Sequence, residues 1–164
     1  MADVQTFRRA WGRFATGIAI VTTIESDGRV HGMTANGITS VSLEPLLILV
    51  CVAHDRNSHS LIKESGLFAI NILSEDQQSL AGYFARPLEQ RGEDANVPIS
   101  LTKRGSAVVE NCLAFMDCRV VQEYTAGDHT IFIAEVDEIR MNPGRPIIFF
   151  EGNYHRLGQK DSRN

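Results

Sequence analysis

Two stretches of this chain alternate apolar and polar residues for longer than any other, and they set the expectation for the fold. In His129–Met141, Ile131, Ile133 and Glu135 fall on one face while Phe132, Ala134 and Val136 fall on the other, the two-residue period of a β-strand. Residues Cys112 to Tyr124 form a second long strand, joined to the first by TAGD, a hairpin signal. Ile18 to Ile24 and Val30 to Thr34 pair in the same way across SDGR, and Leu46 to Val52, Leu67 to Leu73 and Pro146 to Phe150 complete the predicted strands. Helical spacing is confined to short pieces. Val4, Phe7, Ala10, Trp11 and Phe14 make one apolar stripe over residues 4–14, expected to dock on an apolar surface. Asn57 or Ser58 caps a helix that stops before Gly66, and SEDQ (Ser74 to Gln77) is a capping box opening a helix to about Phe84. The stretch ARPLEQRGEDANVPIS has no periodicity and is expected to be a surface excursion, with residues 158–164 a disordered polar tail.

About seven strands linked by hairpins, with three short helices, predict a mainly β, antiparallel barrel with helices at its ends, one domain over residues 1–157. At 164 residues, 43% hydrophobic and 22% charged, the chain can bury a core of its own. A net charge of -4 without a basic cluster argues against a dedicated nucleic-acid binder and leaves that class aside. The N-terminal residues show no apolar signal core, and no stretch is long enough to span a bilayer. Cys51, Cys112 and Cys118 form no C-x-x-C pair, so a reducing cytoplasm is the expected location.

Familiar catalytic signatures are missing. The five histidines have no metal-ligand spacing; His54 and His59 flank a turn and read as surface or capping residues, so no metal is expected. There is no nucleophile elbow and no phosphate-binding P-loop, and the glycines of WGRFATG follow a helix instead of a strand. What does stand out is GMTANGITSVSLEPLLILVCV, Gly32 to Val52. Ahead of the apolar strand it carries Thr34, Asn36, Thr39, Ser40 and Ser42, five short uncharged hydrogen-bonding side chains within nine positions. They either line a turn or face a flat heteroaromatic with polar edges, which small residues would let approach closely. An enzyme whose cofactor carries the reaction needs no acid–base constellation of its own.

Four segments in collinear order resemble the flavin reductase-like family, the short-chain NAD(P)H:flavin oxidoreductases of two-component monooxygenase systems. The family pattern T-A-N/S-x-x-x-S-V-S-x-x-P-P-L is matched by Thr34, Ala35 and Asn36, by Ser40, Val41 and Ser42, and by Pro45, with Leu46 in place of the second proline. FRRAWGRFATGIAIVTT resembles the opening helix and strand, GDHTIFIAEV the pyridine-nucleotide motif, and PIIFFEGNYHRL the closing F-x-G-x-Y-x-x-L. The resemblance implies an FMN-binding split barrel, working as a homodimer with the flavin near the subunit interface. It implies reduction of FMN (or FAD) by NADH or NADPH and delivery of reduced flavin to a partner monooxygenase. A flavin-storage or electron-transfer protein of the same fold is the alternative.

The resemblance also implies site residues. Thr34, Ala35 and Asn36 would run along the isoalloxazine edge, and Ser40, Val41 and Ser42 would touch the ring and ribityl chain, with Cys51 and Val52 following at the end of the next strand. Asn57, Ser58 and Ser60 would receive the phosphate at a helix start. Phe84, Ala85 and Arg86 would close over the phosphate end, where Arg86 either pairs with it or is a solvated surface residue. Gly127, Asp128, His129 and Tyr154 would receive the nicotinamide. Hydride transfer needs no obligatory general acid, so His129, the one residue placed at the reacting groups, would position or polarise.

Overall fold

The computed structural model describes residues 2–91 and 97–158. The chain runs α1 (Val4–Trp11), β1 (Thr16–Gly17), β2 (Ala19–Ile24), β3 (Val30–Ala35), β4 (Ile38–Leu43), β5 (Leu46–Ala53) and α2 (Asn57–Ser65). It continues as β6 (Leu67–Ile72), α3 (Gln78–Ala85), β7 (Ile99–Leu101), β8 (Ala107–Val109), β9 (Ala114–Ala126), β10 (His129–Met141), β11 (Ile147–Phe150) and β12 (Asn153–Arg156). A 3-10 turn at Glu75–Gln77 precedes α3, with the Ser74–Gln77 capping box formed in both directions. The expected tail lies outside the described residues from 159 onward, as do residues 92–96 of the expected excursion.

Seven strands form one antiparallel sheet in the order β3-β2-β6-β9-β10-β5-β4. Its two edge strands, β3 and β4, are consecutive in the chain and separated only by Asn36 and Gly37. Three peptide steps reach about 11 Å at most, whereas the edges of a flat seven-stranded sheet would stand roughly 29 Å apart. The sheet must therefore curl until its edges meet. β3 and β4 share no ladder, so the closed form is a barrel split at that seam. The antiparallel barrel expected from the hairpins is the fold observed.

Inside it, Ile48, Val50 and Val52 of β5 face Phe132 and Ala134 of β10, Val21 of β2 and Phe68 of β6, and Ile62 of α2 plugs one end. A second apolar cluster gathers Ile18, Ile20, Leu73, Phe84 and Phe115 beneath α3. Asn71, fully buried between the two, is satisfied on both sides. Its amide donates to the Ile20 carbonyl at 3.2 Å and the Thr22 hydroxyl at 3.1 Å, and its oxygen accepts the Val109 N–H at 2.8 Å.

Three expectations change. β4, not among the predicted strands, is a strand interrupted by a bulge at Val41. The short strands β1, β7, β8 and β12 are not among those the sequence predicts. The helix over 4–14 ends at Trp11 and buries no residue, so among the described residues its stripe is left largely uncovered. His31 of β3, given no role from the sequence, is only 5% exposed. Among the described residues no helix is long and apolar enough to cross a membrane.

Candidate functional site

β3 runs past the start of α2 on one side and the end of α3 on the other, and a cavity of about 370 Å3 opens between them. Gly32 makes that approach possible. A Cβ at this position would stand 2.6 Å from the Phe84 ring, so α3 lies against β3 at a distance only glycine allows. The far wall is made by Phe149 of β11 and Tyr154 of β12, whose rings are 5.5 Å apart.

One end of the cavity is built for an anion. α2 begins after Arg56, which supplies no side-chain cap, so the free N–H groups and positive dipole end of the helix are left for another partner. Ser58, in the first turn, is 1% exposed and lines the cavity, and its hydroxyl has no hydrogen-bond partner among the described residues. A buried hydroxyl without a partner costs about 1–3 kcal/mol, and a ligand oxygen at this point would remove that cost. Arg56, Arg86 and Arg91 line the same end. Arg91 also builds the wall: its guanidinium donates to the carbonyls of Gly32 at 2.8 Å, Phe84 at 3.1 Å and Arg86 at 2.9 Å. It lies 5.3 Å from the Phe84 ring centre. Beside it, burial and then the Arg91 charge hold His31 below the usual histidine pKa, so His31 adds no positive charge at neutral pH.

At the other end, Thr34, Ala35 and Asn36 line the cavity. The Thr34 hydroxyl is already committed, donating to the Ala81 carbonyl at 2.6 Å and pinning α3 to β3. The Asn36 amide nitrogen donates to the Thr16 hydroxyl at 3.3 Å.

Of the sequence-predicted residues, Thr34, Ala35, Asn36, Asn57, Ser58, Phe84, Ala85, Arg86 and Tyr154 are brought together around this cavity. The others lie elsewhere. Ser40, Val41 and Ser42 are on the edge strand β4, where the Ser42 hydroxyl accepts the Glu44 N–H at 3.2 Å. Cys51 is half-buried beside Gly37. Val52 is 1% exposed and belongs to the barrel core, so its side chain is not offered to a ligand. Ser60 is exposed and its hydroxyl donates back to the Asn57 carbonyl at 3.0 Å. His31, Arg56 and Arg91 were missed. Arg91 acts on backbone carbonyls, a target that leaves no trace in a sequence.

Gly127, Asp128 and His129 form the tip of the β9–β10 hairpin, with Gly127 at φ +63°, a conformation that favours glycine. The tip is fastened to the corner that leads into α2, because the His54 N–H donates to the Asp128 carbonyl at 3.0 Å. Asp55 and Arg56, the next two residues, line the cavity. His129 Nδ1 lies 2.7 Å from the Asp128 carboxylate, and that hydrogen bond is the main cause holding the carboxyl below its usual pKa. A carboxylate only accepts, so Nδ1 carries the proton that this bond uses.

The flavin reductase like domain family matches residues 11–158 of this chain. An NADH-dependent flavin reductase from a Rhodococcus species is 38% identical over 152 residues, covering 92% of this chain and 84% of that protein. The reductase component of a 4-nitrophenol 4-monooxygenase/4-nitrocatechol 2-monooxygenase from Rhodococcus opacus is 38% identical over 154 residues, 93% of this chain and 80% of that one. The solved structure of the flavin reductase PheA2 in its native state superposes with a TM-score of 0.89 at 44% identity, covering 96% of this chain and all of that one. With a matched domain spanning nearly the whole chain and a barrel shared with its solved relative, this protein belongs to the flavin reductase-like family.

Proposed function

We propose that the chain is an NAD(P)H:flavin oxidoreductase that takes FMN as its flavin and passes the reduced form to a partner monooxygenase. The single observation that carries the reading is Ser58, a buried hydroxyl without a partner, opening into the cavity at an uncapped helix start. That is the chemistry of a phosphate site, and one such end suits a mononucleotide. Ser58, Asn57 and Arg86 would hold the phosphate, and Thr34, Ala35 and Asn36 would border the ring. When bound, the flavin supplies the ring that accepts hydride from the nicotinamide. The protein's own part is to bind and orient. His129, with Nδ1 fixed by Asp128, presents Nε2 to the carboxamide of the nicotinamide. Cys51, Cys112 and Cys118 are free thiols, which fits a reducing cytoplasm.

Steady-state turnover with each of FMN and FAD against each of NADH and NADPH tests this, run beside an absorbance spectrum of the purified protein. Oxidation of nicotinamide with free flavin in excess is the expected result, fastest with FMN. A flavin held tightly through purification without turnover would make the protein a carrier instead.

The working unit we propose is a homodimer. Phe7, Trp11 and Phe14 are 65%, 61% and 61% exposed, and Val41, Leu43 and Leu46 around the β4 edge are 45%, 86% and 44% exposed. Large apolar surfaces of this kind mark contacts, and a second copy covering β4 would bring Ser40, Val41 and Ser42 out of solvent. Light scattering should return about 36 kDa, twice the 18.2 kDa chain. A mass of one chain at micromolar concentration with flavin present would overturn the dimer.

A further inference from the structure

Thr130, the second residue of β10, is only 5% exposed, yet its hydroxyl meets two imidazoles. His54 Nε2 is 3.1 Å from Thr130 Oγ1 and His59 Nε2 is 2.9 Å from the same atom. The two rings are edge to face with centres 4.9 Å apart, and the His59 ring packs on the buried Phe132 ring at 5.7 Å. A hydroxyl has one proton, so at least one of the two Nε2 atoms must donate to Thr130. Burial, and then the neighbouring His54, hold His59 below the usual histidine pKa, so the clamp is not opened by charging His59 at neutral pH.

This arrangement joins three elements at one atom. His54 directly follows β5 and also donates its N–H to the Asp128 carbonyl. His59 follows Ser58 in the first turn of α2, at the anion end of the cavity. Thr130 follows His129, on the opposite face of the strand. The side chain facing the ligand and the side chain gripped beneath it are therefore neighbours on one short stretch of backbone. Two ligands that must meet in a defined orientation bind on these separate elements, and small errors in their relative placement are costly to rate.

We infer that Thr130, clamped by His54 and His59, is a positioning residue for the nicotinamide: it fixes the turn Gly127–His129 relative to the anion end at Asn57 and Ser58. The inference rests on the reading of that turn as the nicotinamide site. Thr130 touches neither ligand and acts through His129.

Thr130→Val keeps the shape of the side chain and removes the hydroxyl, whereas Thr130→Ser keeps the hydroxyl. Calorimetric titration of the FMN-loaded protein with NAD+ reads nicotinamide binding without turnover, and flavin fluorescence reads FMN binding separately. Thr130→Val should weaken NAD+ binding about three- to tenfold, the worth of one or two hydrogen bonds, with FMN affinity unchanged and Thr130→Ser restoring the loss. Added to His129→Ala, Thr130→Val should cost nothing further, because both act on one contact. Wild-type NAD+ binding by Thr130→Val beside a defective His129→Ala would overturn the clamp alone. A loss that adds in full to that of His129→Ala, or one shared equally by FMN, would overturn it as well. Unchanged NAD+ binding by His129→Ala would remove the reading of the turn itself, and the clamp with it. Should Thr130→Val fail to fold, His59→Phe keeps the ring against Phe132 and deletes the nitrogen. The same selective NAD+ loss is then expected, and wild-type binding would overturn the inference.

Discussion

Ser58→Asp is expected to weaken FMN binding by more than about a hundredfold, above 2.7 kcal/mol, while the protein without flavin melts no lower than wild type. The two effects have one origin. The helix start at Asn57 lacks a side-chain cap, and its first two residues line the cavity. A carboxylate at position 58 would occupy that positive end itself, and it would then oppose the phosphate it displaces. Ser58→Ala separates the two terms. Removing a hydroxyl that is 1% exposed and unpartnered relieves the folded protein of an unmet polar group, so stability should hold or rise by about 1 kcal/mol. FMN affinity should fall about three- to tenfold for the lost hydrogen bond. Fluorescence titration and thermal melting measure both quantities. Wild-type FMN affinity in Ser58→Asp would show that the phosphate does not bind at α2, and the flavin would have to be placed elsewhere on the barrel.

The parts of this molecule that were legible in advance are those where burial imposes a period. β10 was expected at His129–Met141 and is found there, because Thr130, Phe132 and Ala134 point into the core on alternate positions. β4 was not legible for the converse reason. It is an edge strand exposed along most of its length, rich in Thr and Ser, and the bulge at Val41 breaks its alternation. Around the cavity, residue type located the site without revealing how each side chain is used. The hydroxyl of Thr34 holds the Ala81 carbonyl beside the cavity, and that of Ser42, away from it on β4, receives the Glu44 N–H, so part of the polar row serves the fold and not a ligand. Arg91 was hidden by an aperiodic stretch, and the His54–Thr130–His59 contact joins residues up to 76 positions apart, which no local pattern can reveal.

His129→Ala is expected to lower kcat/KM for the nicotinamide about ten- to hundredfold, or roughly 1.4–2.7 kcal/mol of transition-state stabilisation. The imidazole stands at the hairpin tip, half-buried, with Nδ1 held on the Asp128 carboxylate at 2.7 Å, and in the proposed reading Nε2 meets the nicotinamide. In the proposed reading the imidazole meets the carboxamide, so its loss frees one rotation of the nicotinamide relative to the flavin. Misorientation of that kind is paid in rate. FMN affinity should change little, since neither Asp128 nor His129 lines the cavity where Ser58 and Asn36 lie. Asp128→Ala should show a weaker form of the same defect, because it leaves the imidazole in place and removes only its orientation. Stopped-flow reduction of the FMN-loaded variants over a range of NADH concentrations separates binding from the limiting rate. If His129 serves only the turn, both variants will melt slightly lower and reduce at wild-type rates at every concentration, and the nicotinamide site must then be sought away from the hairpin.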